Sequence, residues 1–260
     1  MFKTHTAKRL ILPAETENYT FYFSHKLTYK NMSNSFNNNK MVVFANQKGG
    51  VGKTALCVLF ANFLVSRDRQ VTVIDADIQK SIQTIRNNDK RQYGEDAMSY
   101  FVQAYDVTKG QEAVGKLVDA ANQVDGYVLF DTPGNLTNDG MIPILEAADY
   151  IITPYQYETS TISSTGVFLQ TIRKLREADP KVHAKTIFIP NRIKKGSGTR
   201  DEWDFWAATD NLFGGFGHVT PVIRDGIAIQ RYNTVASTDQ QAKIVNAAFE
   251  DILDEIEKDE

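Results

Sequence analysis

Gln47-Lys48-Gly49-Gly50-Val51-Gly52-Lys53-Thr54 decides how this chain is read. Before it stands a short apolar run, Val42–Ala45. After it, from about Thr54 to Arg67, Leu56, Leu59, Phe60, Phe63 and Leu64 recur at helical spacing. A strand, a glycine-rich turn and a helix in that order make a cradle for phosphate. Glycines let the backbone wrap around an anion with no Cβ in the way. The amides of Gly49, Gly50, Val51 and Gly52 then turn inward, and the helix N-terminus adds its partial positive charge. Lys53 is placed to reach the β- and γ-phosphates of a nucleotide, and the Thr54 hydroxyl to ligate Mg²⁺. Gln47 stands where the ordinary motif has glycine. Lys48 cannot comfortably share a pocket with Lys53, but it can reach across to a nucleotide held by a facing subunit.

Outward from the loop the same theme repeats. Val71–Ile74 reads as a buried strand ending at Asp75, and Tyr127–Phe130 as another capped by Asp131. Tyr150–Thr153 and Thr186–Ile189 are further strand signals. An alternating stretch lies near Tyr100–Val107, and helical stretches over about Gln111–Asn122 and Ser160–Ala178. Strands alternating with helices imply an α/β fold, a mostly parallel twisted sheet with helices on both faces. Ligands of such sheets sit beyond the carboxyl ends of the strands. Lys48, Lys53, Asp75, Asp131, Pro154 and Asn191 all fall there.

The run KGGVGKT resembles the signature of the ParA/MinD family, P-loop NTPases with a deviant Walker A motif, and the resemblance extends in order over residues 41–255. It implies ATP and Mg²⁺ as cofactors, slow ATP hydrolysis without a partner, and an ATP-bound homodimer in which Lys48 crosses the interface. Asp75-Ala-Asp77-Ile-Gln79 is similar to the family's DxDxQ segment, although Ile78 and Lys80 replace a usual proline and a frequent glycine. By resemblance, Asp77 positions the attacking water and Asp75 supports the metal. Val128–Gly134 resembles the Walker B strand, which delivers Asp131 to the Mg²⁺ shell, with Asn135–Asp139 as a switch loop. Asn191 matches the position whose amide recognises adenine, and Pro221-Val222 the base-flanking segment. Lys48, Lys53 and Asp77 are thus the catalytic candidates, with Thr54, Asp75 and Asp131 at the metal.

Composition narrows the choice among relatives. The chain has 260 residues, 42% hydrophobic and 23% charged, with a net charge of -3. No global attraction to nucleic acid follows, so DNA contact needs a local patch. Arg192, Lys194, Lys195 and Arg200 are the best cluster, with Arg224 and Arg231 further on. Trp203, Phe205 and Trp206 beside it read as core or interface aromatics. The single cysteine, Cys57, sits in an apolar run as a core residue, fits a reducing cytoplasm, and cannot bridge a dimer with a metal cluster. The last residues, Asp251–Glu260, carry no tyrosines, unlike bacterial tyrosine kinases of this fold. The same tail is acidic, which disfavours a MinD-like membrane anchor. Residues 1–40 form a polar, Asn-rich extension, read as a disordered segment or as sequence upstream of a start at Met41, and they leave little room for a helix-turn-helix. Residues 41–260 form the ATPase domain. The expectation is a cytoplasmic, nucleoid-associated ATPase that dimerises on ATP, binds DNA non-specifically, answers to a ParB-like partner, and partitions a plasmid, chromosome or mobile element. The alternatives are a dethiobiotin-synthetase-like enzyme of the same fold and an ATPase that positions a protein cargo.

Overall fold

A computed structural model describes residues 9–11, 20–22, 39–134, 138–194, 196 and 198–258. Two short strands, β1 (Arg9–Ile11) and β2 (Thr20–Tyr22), pair antiparallel by themselves. The main sheet holds β3 (Asn39–Phe44), β4 (Val71–Asp75), β5 (Phe101–Ala104), β6 (Gly126–Asp131), β7 (Tyr150–Tyr155), β8 (Lys185–Ile193), β9 (His218–Val219) and β10 (Ile223–Arg224). The strand order is β10-β8-β7-β3-β6-β4-β5, with β9 also on β8, and every described pair is parallel. The first strand of this sheet begins at Asn39, two residues before the expected boundary, and pairs with Gly126 from its first residue.

The strands read as unbroken apolar runs because both faces are covered. Val42 and Phe44 of β3 pack on one side with α1 (Lys53–Ser66) and α8 (Asp239–Glu257), and Met41 and Val43 on the other with α3 (Gln111–Ala121), α4 (Met141–Ala147) and α5 (Thr159–Ala178). Helix α1 is apolar nearly all round because it is clasped between the sheet and α8. Phe60 meets Phe249 edge-on at 5.2 Å and stacks near Phe63 at 6.0 Å. The acidic tail is the solvent side of α8, whose other side, Val245, Phe249, Ile252, Leu253 and Ile256, is core. Arg67 pairs with Glu250 and Arg69 with Glu257, which ties the two helices at their rims. No helix among the described residues is long and apolar enough to cross a membrane.

Two of the helices that the sequence does not announce bury few apolar residues. α2 (Ser81–Tyr93) buries Ile82, Arg86 and Asp89, so two of its three inward positions are charged. α6 (Arg200–Gly214) opens with a capping box between Thr199 and Glu202, and buries only Thr209 and Phe213. The remaining helix, α7 (Ile227–Gln230), is a single turn beside α8.

Candidate functional site

Because the strands are parallel, β3, β4, β6 and β8 deliver their C-terminal residues to one edge, where a cleft of ≈ 570 Å³ opens. Its floor is the turn between β3 and α1. Asn46, fully buried, fixes the exit of β3: its amide donates to the Pro154 carbonyl at 2.8 Å and to Thr165 Oγ1 at 2.9 Å, while its Oδ1 accepts from the Lys48 N–H at 3.2 Å. The turn then runs through Gly49 and Gly50 into Gly52, whose φ of 99° is the left-handed region that glycine alone enters freely. A Cβ on Gly52 would also stand 2.5 Å from the Asn191 amide nitrogen.

Lys53 starts the helix with a buried side chain, and its Nζ donates to the Lys48 carbonyl at 3.3 Å. Burial lowers the pKa of its ammonium, against the opposing pull of Asp131 and Asp77. Thr54, Asp77 and Gly134 line the same end of the cleft. Gly134 lies so close that a Cβ there would sit 3.0 Å from Gly49 Cα. Thus the segment after β6 rests on the phosphate loop itself. Of the proposed switch segment, 135–137 lies outside the described residues; Asn138 accepts from the Gly140 N–H at 3.0 Å.

Asp75 and Asp131 are register partners on adjacent strands, side by side beneath the loop. Asp75 Oδ2 accepts from the Gln83 N–H at 3.0 Å, and its Oδ1 is buried without a partner. Gln83, which no motif indicated, also accepts from the Ala104 N–H at 3.1 Å and so braces the carboxylate against β5. Neither oxygen of Asp131 has a hydrogen bond of full geometry. Burial pushes its pKa up to about 8; the adjacent Thr54 hydroxyl and Lys53 counter the rise, and Asp75 adds to it. Three buried carboxylate oxygens without protein donors, beside a hydroxyl, suit a hard divalent cation. Among the described residues there is no group of three or more His, Cys, Asp or Glu side chains that could hold a metal ion by themselves. Asp77 is oriented by accepting from the Gln79 N–H at 2.9 Å.

The rest of the cleft lining comes from the C-terminal third: Asn191, Arg192, Asp225, Ile229, Gln230 and Tyr232. Pro221 is exposed and does not line it. Asn191 is buried, donating to the Val51 carbonyl at 2.8 Å and accepting from the Arg192 N–H at 2.9 Å. Arg192 turns to the loop as well. Lys48 is half-buried and does not line its own cleft.

The family profile that matches this sequence is the CobQ/CobB/MinD/ParA nucleotide binding domain, over residues 42–242. The chain belongs to that family. Among curated members, it is 31% identical over 117 residues to "Maintenance of carboxysome distribution protein A" of Gloeobacter kilaueensis, covering 44% of this chain and 48% of that protein. It is 28% identical over 187 residues to "Protein IncC" of Escherichia coli, covering 59% and 51%. The chain therefore spans about half the length of the curated relatives it matches. Among solved structures of the fold, an ATP complex of Cyanothece McdA superposes with a TM-score of 0.65 at 19% identity, covering 84% of this chain and 96% of that one. A "putative plasmid partition protein" of Borrelia burgdorferi bound to AMPPNP gives 0.62 at 18%, covering 85% and 99%. Cobyrinic acid a,c-diamide synthase of Mycobacterium smegmatis, with an ATP analogue and magnesium, gives 0.62 at 20%, covering 83% and 93%.

Of the expected basic cluster, Lys194 and Arg200 are exposed, and Lys195 lies outside the described residues. The register of β10 on β8 sets Arg224 opposite Ile193, so a distant arginine joins the same edge. Trp206 stacks on Tyr157 at 5.0 Å, but Trp203 and Phe205 are exposed rather than core.

Proposed function

We propose that this protein is an ATP-hydrolysing switch that dimerises on ATP, binds DNA non-specifically, and partitions or positions a DNA element with the help of a stimulating partner protein. The observation that carries the reading is the pair of lysines on one phosphate loop. Lys53 is buried at the head of α1, whereas Lys48 stays off its own cleft. An intramolecular ATP site has no use for the second lysine, while a site completed by a facing subunit does. The name of the carboxysome-distribution relative supports a positioning role, without specifying DNA as the cargo.

In this reading the loop amides and Lys53 bind the β- and γ-phosphates. Bound MgATP supplies the phosphoryl group. Thr54 and Asp131 would hold the metal and Asp75 would support it, since three buried carboxylate oxygens of the two aspartates have no protein partner. Asp77, at the cleft wall, orients the attacking water, and Lys48 of each subunit neutralises charge on the other's nucleotide. Asn191 lies at the base end. DNA phosphates meet Lys194, Lys195, Arg200, Arg224 and Arg231, duplicated in the dimer, so that two weak patches act together.

The test uses two variants beside the wild type. Lys48→Ala binds ATP but stays monomeric in ATP-dependent sizing and loses about tenfold or more in hydrolysis. The triple change of Lys194, Lys195 and Arg200 to Glu keeps ATP binding and loses retention on duplex DNA at low salt. A Lys48→Ala protein that hydrolyses ATP at the wild-type rate removes the dimer switch. A wild type with no DNA affinity in ATP moves the cargo to a protein, and stimulation by a small carbon substrate instead of DNA and partner moves the reading to a metabolic enzyme.

A further inference from the structure

The end of β8 departs from strand geometry at one residue. Successive side chains on a strand point to opposite faces. Asn191 and Arg192 break that rule, and the cause is visible in the backbone: Arg192 has a φ of 63°. This left-handed conformation is uncommon for a residue with a Cβ and persists only where its surroundings hold it. Here its N–H donates to the Asn191 carboxamide oxygen at 2.9 Å, and its guanidinium Nη1 donates to the Gly50 carbonyl at 2.7 Å. Meanwhile the Asn191 amide donates to the next carbonyl along, that of Val51, at 2.8 Å. Two consecutive side chains of the strand thus hold two consecutive carbonyls of the phosphate loop.

We infer that Arg192 is a positioning residue for nucleotide binding, acting through the phosphate loop and not through DNA. In a trans peptide the C=O and the following N–H point in opposite directions. Holding the Gly50 and Val51 carbonyls toward β8 therefore turns the Val51 and Gly52 N–H groups the other way, into the concavity where an anion is cradled. Without the clamp the Gly50–Val51 peptide loses the side-chain hydrogen bond that fixes the direction of its carbonyl. A flipped peptide would present a carbonyl oxygen to a phosphate and withdraw a donor. A guanidinium suits the task, since its planar fork is pre-organised for hydrogen bonding.

The experiment measures ATP affinity by direct titration, steady-state KM and kcat, and DNA retention at saturating ATP for Arg192→Ala, Arg192→Gly and Arg192→Lys. Arg192→Gly separates the guanidinium from the backbone, because glycine adopts the left-handed conformation without strain. Arg192 is exposed, and the melting temperature without nucleotide checks that each variant is folded. The expected result is an ATP affinity about tenfold weaker in both Ala and Gly, with the loss in KM, recovery to within about threefold in Lys, and wild-type DNA retention once ATP saturates. Unchanged ATP affinity in Arg192→Ala overturns the inference. So does wild-type affinity in Arg192→Gly beside a weak Arg192→Ala, which assigns the effect to backbone conformation alone. Lost DNA retention at saturating ATP with intact affinity makes Arg192 a DNA contact instead.

Discussion

The two ends of the cleft are assembled differently. The phosphate end comes from contiguous sequence, Lys48–Thr54, with Asp75 and Asp131 brought beneath it by strand register. The other end, which takes the base in the proposed function, gathers Asp225, Ile229, Gln230 and Tyr232 from the segment between β10 and α8, while Asn191 and Arg192 of β8 hold the loop itself. Phosphate recognition relies on backbone donors, and these demand glycines and a helix N-terminus at fixed spacing. A flat base needs only a wall of suitable shape and a few polar groups, which many sequences supply. One end therefore leaves a motif and the other does not. Binding energy is therefore expected to be concentrated at the phosphate end.

The sharpest way to break the comparison is Lys53→Ala. Its buried ammonium donates to the Lys48 carbonyl and feels the charges of Asp131 and Asp77. Removing it takes away the main charge partner of the β- and γ-phosphates, and ATP affinity should fall about a hundredfold or more by direct titration. An affinity within about threefold of wild type would show that the base end carries the binding.

A second test reads the phosphate end through pH, without nucleotide. Burial raises the pKa of Asp131 from 3.8 to about 8. A carboxyl with a higher pKa folded than unfolded contributes stability that is complete below the unfolded value. That contribution is lost as pH rises toward the folded value. Asp75 is shifted in the same direction, also by burial. The nucleotide-free protein should therefore melt lower at about pH 8 than at about pH 5, and Asp131→Asn should flatten that slope by on the order of 5 °C. A variant with the wild-type slope would mean that Asp131 titrates normally and is not held ready for a cation.

The same contrast explains how much of the molecule is legible in its sequence. The parallel sheet can be read because Val71–Ile74, Tyr127–Phe130 and Thr186–Ile189 are buried on both faces. Helix α2 cannot, because its inward positions 82, 86 and 89 hold Ile, Arg and Asp. Arg86 lies over the Tyr100 ring at 4.4 Å, and Asp89 accepts from the Thr234 N–H and hydroxyl at 2.7 Å. Thr234 satisfies Asp89, whereas the buried Arg86 nitrogens have the Tyr100 ring and no hydrogen-bond partner, and charges at inward positions erase a hydrophobic period. The acidic ending conceals the apolar face of α8 for a related reason: between the core positions Phe249, Ile252, Leu253 and Ile256 stand only Glu and Asp. Charge alone reads Arg192 as a DNA contact. Composition cannot tell where a side chain points when one residue leaves strand geometry, and only the backbone turn at φ 63° sends it to Gly50.

The smallest expected effect lies at the base end, in Tyr232. Its ring packs partly against the core beside α1 and also lines the cleft with Ile229 and Gln230. Burial pushes its hydroxyl pKa up to about 12, so it stays a neutral phenol across the working range. Its contribution to nucleotide binding is then the face or edge of a ring, worth about 1 kcal/mol for an aromatic contact, or roughly fivefold in affinity. Tyr232→Phe keeps the ring and should bind ATP within about twofold of wild type, whereas Tyr232→Ala should bind roughly threefold to tenfold more weakly. The measurement that sharpens the comparison is the same titration with ATP and with free triphosphate. Loss of the ring should weaken ATP and leave triphosphate unchanged, because only ATP carries a base to that end. Equal losses for both would place Tyr232 in support of the phosphate loop through α1. A loss as large as that of Lys53→Ala would end the distinction between a motif-built end that binds and a scattered end that selects.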